Sequence, residues 1–228
     1  MKSGRIIKIL FLIINVFSSI SICTKIHSFT TSNCKSVATY SGPLNKISLD
    51  NCKTDITFAI DSSSDSLLPI LFNDYEISLI KDNITSNWTD FSNVNLAWYA
   101  DSPKTLFTIG TMNKKSEFDF DLSLITQSSG SNLGRLIDNL NLLDITPGNS
   151  LSTYIFIAQY NDNNQQDILT SLQNLKQNGN VNFIILGNVV EIKDLQPLQP
   201  SNIFYWDFDP LCIPMVTQFF QNSLSCNN

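Results

Sequence analysis

Short apolar, β-branched runs alternate with amphipathic stretches of about ten residues through most of this 228-residue chain, and that alternation constrains the fold more than any other feature. Asp55–Asp61 reads as a buried strand that ends in the polar cluster Ser62–Asp65, and Leu67–Ile80 follows as a helix with Leu68, Leu71, Phe72, Tyr75 and Leu79 at helical spacing. Val94–Ala100 and Thr105–Ile109 are two strands joined so tightly that a hairpin is expected. A helix over Ser131–Leu143, a strand over Tyr154–Gln159, a helix over Asp167–Lys176, and strands over Val181–Leu186 and Ile203–Phe208 complete the alternation. Cys212–Leu224 is the last helix. Parallel strands need crossovers of this length, so the expected fold class is α/β. It is a doubly wound, Rossmann-like, mostly parallel central sheet with one antiparallel edge strand and helices on both faces.

The chain opens with Lys2, Arg5 and Lys8 ahead of the apolar run Ile9–Ile22, a signal-peptide pattern whose run is short for a membrane span. Small residues permit cleavage after Ser21 or after Cys23. The second cut leaves four of five cysteines, Cys34, Cys52, Cys212 and Cys226, an even number suited to disulfides in an oxidising compartment. The expected organisation is a signal peptide over 1–23, a Cys-containing leader over 24–53 without sustained periodicity, and one domain over 54–228. The product is then a secreted, extracellular protein with no membrane span in its mature chain. Asn83-Ile84-Thr85 and Asn87-Trp88-Thr89 are glycosylation acceptors, which have meaning only in a secreted chain.

Charge and composition exclude several functions. The formal net charge is −6, and removing the three leading bases without any acid takes it to −9, so nucleic acid is not an expected partner. A single His, His27 in the leader, leaves histidine-based zinc sites and Ser-His or Cys-His mechanisms without their base. No phosphate-binding Gly-rich loop, Cys-x-x-Cys or His-Glu-x-x-His is present. Glu117, Asp119 and Asp121 alternate with Phe118 and Phe120, which suits a half-buried strand or an exposed polar face better than the carboxylate pair of a glycoside hydrolase. The aromatic run Phe204-Tyr205-Trp206, with Phe208, is expected to pack in the core.

In a doubly wound sheet, ligands bind beyond the carboxyl ends of the strands. The residues found there are Asp61, Ser63 and Asp65, then Ser131, then Asn161 and Asp162, all offering the oxygen atoms that a hard cation prefers. Asp and Ser are also ordinary cap and turn residues. The segments DITFAIDSSSD (55–65), SGSNLG (129–134) and YIFIAQYN (154–161) resemble the three elements of the metal-ion-dependent adhesion site of the von Willebrand factor A (VWA) domain family. The resemblance runs from about Thr54 to Leu224. It departs from the family pattern where Asp65 replaces a Ser, Ser131 a Thr and Asn161 an Asp, with Tyr160 where a small hydroxyl residue is usual.

The resemblance implies a non-catalytic protein- or glycan-binding module for adhesion. It implies Mg²⁺ or Mn²⁺ as cofactor at Asp61, Ser63, Asp65, Ser131, Asn161 and Asp162, with Ala at position 61 abolishing ion binding while folding stays intact. It also implies a disulfide of Cys52 with Cys226, leaving Cys34 with Cys212; pairing Cys34 with Cys52 and Cys212 with Cys226 has equal support in the sequence. Two other functions stand beside the module: a secreted hydrolase using a carboxylate pair, and a metal-free domain with a structural or decoy role.

Overall fold

The strand Thr54–Asp61 (β2) is buried along its whole length, as an apolar run at the centre of a two-sided sheet must be. The computed structural model describes residues 35–37, 53–161 and 164–224, all within one compact unit, Lys35–Asn228. The proposed signal peptide, most of the leader, Cys34, Cys52, Cys226 and Asp162 lie outside the described residues. The remaining strands are Lys35–Val37 (β1), Val94–Tyr99 (β3), Pro103–Phe107 (β4), Ser150–Ile157 (β5), Gly179–Leu186 (β6) and Asn202–Trp206 (β7). They form one sheet in the order β1-β7-β6-β5-β2-β3-β4.

β2 pairs in parallel with both β3 and β5, β5 with β6, and β6 with β7. β4 folds back antiparallel on β3, the expected edge strand. A second antiparallel strand, β1, lies on β7 at the opposite edge. Three residues from the leader are too few to show a period, which is why this strand was not apparent as one. The winding reverses between β2 and β5, so their carboxyl ends flank the crevice where ligands of such sheets bind.

The helices are Lys115–Ser123 (α2), Leu133–Leu140 (α3), Gln165–Lys176 (α4), Ile192–Leu195 (α5) and Ile213–Asn222 (α6), preceded by the wide helical turns Leu71–Ile77 and Leu79–Ile84, together α1. On one face, α3, α4 and α5 cover Ala59, Tyr99, Ile155 and Phe183 through Leu136, Ile137, Leu172 and Leu195. On the other face, the Phe58 ring lies 5.2 Å from Phe220 of α6, 5.7 Å from Phe118 of α2 and 6.0 Å from Trp88. Phe204 and Trp206 are buried, as expected of a core strand.

Two helices differ from their sequence reading. α1 is wound more loosely than an α-helix; the Thr85 N–H bonds the Ile80 carbonyl five residues back at 2.9 Å. Its buried residues are Phe72, Glu76, Leu79, Ile80 and Ile84, so a carboxylate faces the core while Leu68 is exposed. The alternating segment around Glu117 is not a strand but α2. Phe118 is buried and Phe120 exposed there, and one side of a helix accounts for that difference.

Candidate functional site

Asp61, the last residue of β2, is fully buried at the switch point. Its Oδ1 accepts the Ser63 N–H at 3.0 Å, and its Oδ2 accepts the Ala158 N–H beyond β5 at 2.9 Å, so one carboxylate ties together the ends of the two central strands. The Tyr99 hydroxyl at the end of β3 donates to the Phe156 carbonyl at 2.8 Å and lies 3.4 Å from Asp61 Oδ2. Burial lifts the Asp61 carboxyl to about 6, against the opposing pull of the Ala158, Ser63 and Gln159 N–H groups.

The loop at 127–132 is laced onto these strand ends. Ser128 and Ser63 form a short parallel bridge, the Ser128 N–H bonds the Ser62 carbonyl at 3.0 Å, and the Asn132 N–H bonds the Ala100 carbonyl at 2.8 Å. Gly130 has φ +87°, and a Cβ there would sit 2.8 Å from the Asp101 Cβ and 3.0 Å from its backbone, so this turn admits only glycine. Asp65 accepts the Gly130 N–H at 2.8 Å, and the Asp65 N–H bonds Ser63 Oγ at 3.3 Å. Ser131 donates to the Gln159 carbonyl at 3.4 Å and acts on the Tyr99 hydroxyl.

Of the six expected ligands, Asp61, Ser63, Asp65 and Ser131 therefore belong to one network. Asn161 is exposed beyond β5, and Asp162 lies outside the described residues. The fit to a divalent cation is poor among the described residues. Asp61 Oδ1 and Oδ2 already accept backbone N–H groups, Asp65 holds Gly130, the hydroxyls of Ser63 and Ser131 are engaged, and no three of His, Cys, Asp and Glu gather to hold a metal.

Two members of the site were not singled out from the sequence. Tyr99 is buried, and burial, with the charges of Asp61 and Glu76, raises its hydroxyl well above its ordinary value. Glu76 of α1 is 0 % exposed with both carboxylate oxygens lacking a hydrogen-bond partner. Burial raises its carboxyl well above the usual range and the Asp61 charge adds to this; the nearby Asp61 N–H opposes both without reaching hydrogen-bond geometry. The available signal was its place midway between Phe72 and Ile80, four residues from each.

The other carboxylates of interest are committed to structure. Glu117 accepts the Asn113 and Lys114 N–H groups at the start of α2, and Asp119 pairs with Lys115 at 2.7 Å. A shallow groove of about 450 Å³ between α1 and α6 is lined by Asp82, Asn83, Ile213, Thr217 and Gln218, with a single carboxylate. Asn83 donates its amide to the Ser78 carbonyl at 3.4 Å and the Thr85 hydroxyl is buried, whereas Asn87 is exposed. Cys212 is buried at the start of α6.

The sheet order and the helices on its two faces give the chain a VWA-like fold. Among solved structures, proximal thread matrix protein 1 (PTMP1) from the mussel byssus superposes with a TM-score of 0.62 at 16% identity over 74% of this chain and 46% of that one. A second PTMP1 structure, described as having a zinc-occupied MIDAS motif, gives 0.63 at 17% identity over the same shares. The VWA domain of SpRpn10 gives 0.56 at 15% identity, covering 72% of this chain and 93% of that one. This chain thus spans a little under half the length of the PTMP1 chains. No family model matches the sequence, and no curated protein does.

Proposed function

We propose that the chain is a secreted, non-catalytic binding module of VWA type whose ligand is an extracellular protein or glycan. The observation that carries this reading is the carboxyl edge of the sheet, where the hydrogen bonds of Asp61, Ser63, Ser128 and Gly130 join the strand ends and the loop at 127–132 into one platform. Platforms of this kind suit recognition, while hydrolysis by a carboxylate pair needs two facing acids in an enclosed site. The acids Glu117 and Asp119 instead serve α2. PTMP1, a matrix protein of the byssus, provides an extracellular precedent for the fold.

In this reading 1–23 is a signal peptide, 24–53 a leader and 54–228 the binding domain. No helix among the described residues is long and apolar enough to cross a membrane. Cys34, Cys52, Cys212 and Cys226 form two disulfides, by either of the pairings given above. Asn87 is the better-presented glycan acceptor of the two, since the Asn83 amide is engaged. Binding proceeds without Mg²⁺ or Mn²⁺, because an ion at Asp61 would have to compete with the Ser63 and Ala158 N–H groups that its two oxygens accept.

The test is a panel of immobilised extracellular-matrix proteins and glycans probed with the mature glycoprotein, with and without a chelator. Chromogenic glycoside, ester and peptide substrates are run in parallel. Saturable binding unchanged by the chelator, without turnover, is expected; turnover of any substrate, or binding that collapses on chelation, would contradict the proposal.

A further inference from the structure

Cys212 is fully buried in the short helical turn Pro210–Cys212 that follows β7 and leads into α6. Its N–H bonds the Asp209 carbonyl at 2.9 Å, and the Trp206 indole donates to the same oxygen at 3.1 Å. This turn therefore folds back and holds Cys212 beside the carboxyl end of β7. On the outer side of β7, β1 runs antiparallel, with Lys35 opposite Tyr205 and Val37 opposite Ile203. The chain thus enters β1 at the carboxyl end of β7, and the residue before Lys35 in the sequence is Cys34.

Strand positions decide among the three ways of pairing four cysteines. Between β1 and β2 stand β7, β6 and β5, so Lys35 is about 19 Å from β2 across the sheet. Along the strands, Lys35 is level with Tyr205, Ile185 and Ile157, whereas Thr54 is level with Ser150, about 23 Å lower. Lys35 and Thr54 are thus roughly 30 Å apart, and the single residue to Cys34 and the two to Cys52 close at most about 11 Å of that. A disulfide needs Cα atoms within about 7 Å, so Cys34 cannot reach Cys52. Trp206 stands one residue above Tyr205 and three strands from β2, again about 30 Å from Thr54. The two residues to Cys52, together with the folded-back turn from Trp206 to Cys212, leave that pair beyond reach as well. Each excluded pair belongs to one of two connectivities, and the third joins Cys34 to Cys212, leaving Cys52 to Cys226.

We infer that Cys34 and Cys212 form a structural disulfide that fastens the leader to the carboxyl end of β7. The bond requires only that the chain continue the register of β1 one residue beyond Lys35, opposite Trp206. It rests on the secreted reading above, in which removal of 1–23 leaves four cysteines in an oxidising compartment. The two thiols join as one S–S bond, and a disulfide of a thiol-exchange partner in that compartment takes up their two protons and two electrons, becoming a dithiol. The bond also accounts for how so short a strand stays in place. β1 has three residues and few ladder bonds of its own, yet it covers the backbone edge that β7 would otherwise present to other chains.

The test expresses the full chain in a secreting eukaryotic cell, blocks thiols by alkylation at harvest and digests the protein without reduction. Trypsin separates Cys34 from Cys52 after Lys35 and Lys46, and chymotrypsin separates Cys212 from Cys226 after Phe219 or Phe220. Mass spectrometry is expected to find the Cys34 peptide joined to the Cys212 peptide, with reduction releasing both. A Cys34 peptide joined to Cys52 or Cys226, or recovered alkylated, overturns the proposal. Thiol titration in denaturant gives a second reading that needs no native fold. Cys34→Ser and Cys212→Ser should each expose one thiol, or a dimer linked through it, and the double variant should expose none. A thiol or dimer persisting in the double variant, or absent from both single ones, also overturns the pairing. An exported chain cleaved after Cys23 with Cys34 paired elsewhere removes this disulfide and leaves the secreted reading standing. A chain retained in the cell with its thiols reduced removes both.

Discussion

Replacing Glu76 by Met is expected to stabilise the domain at neutral pH by roughly 1–3 kcal/mol, because a buried carboxyl without hydrogen-bond partners gives way to an apolar side chain of similar length. For a domain of this size that corresponds to a rise in Tm of about 3–9 °C. The pH dependence is the second signature. Burial holds the Glu76 carboxyl well above its ordinary value and the Asp61 carboxyl at about 6. For each, the folded state keeps a proton that the unfolded chain releases, so the stabilisation is full in acid and declines as pH rises. For Asp61 the decline runs from about pH 4 to 6 and amounts to about 3 kcal/mol; for Glu76 it begins near pH 4.5 and continues above.

Asp90 and Glu117, whose carboxyls are lowered by N–H donors, oppose this trend, but both are exposed and their effect is small. Thermal melts at pH 4.5 and 7 should therefore show the parent more stable at the lower pH, with Glu76→Gln and Glu76→Met reducing the difference. A lower Tm for Glu76→Met at pH 7 would show that Glu76 has a partner which the packing does not reveal.

Asp61→Ala is expected to be among the most damaging single changes, costing about 3–5 kcal/mol. The substitution leaves the Ser63 and Ala158 N–H groups without acceptors in a site where Asp61 itself is fully buried. The family resemblance led to the expectation of a folded Ala variant that merely fails to bind an ion; the hydrogen bonds make Asp61 part of what joins β2 to β5. Asp61→Asn keeps the Oδ1 acceptor and should lose markedly less, about 1–2 kcal/mol. Urea melts of the two variants separate these outcomes. If Ala and Asn cost the same, the Ser63 bond is not a significant part of the network.

The alternation of strands and helices was legible because each buried strand is apolar on both faces, and because Gly and Pro punctuate the ends. The network around Asp61, Ser63 and Ser131 was legible as well, since short polar residues clustered where the topology leaves strand ends open. Helical spacing at 3.6 residues placed Leu68 on the buried side of α1 and passed over Glu76. Leu68 instead precedes α1 and is exposed, and Glu76, four residues from both Phe72 and Ile80, lies on the buried side with them. α2 was obscured by the alternation of Phe118 and Phe120, of which only the first is buried. Asp65 was read as a ligand by position alone; the Gly130 N–H that occupies it belongs to a loop 65 residues further along the chain.

The central claim is that the switch-point network is complete without an ion, and titration of the mature glycoprotein with Mn²⁺ by calorimetry and thermal melting tests it most directly. No saturable heat and no change in Tm are predicted up to about 1 mM. An ion held with a Kd near 10 μM would add about 2.7 kcal/mol at that concentration and raise Tm by about 5–10 °C. A rise of that size, absent in Asp61→Asn, would contradict the account.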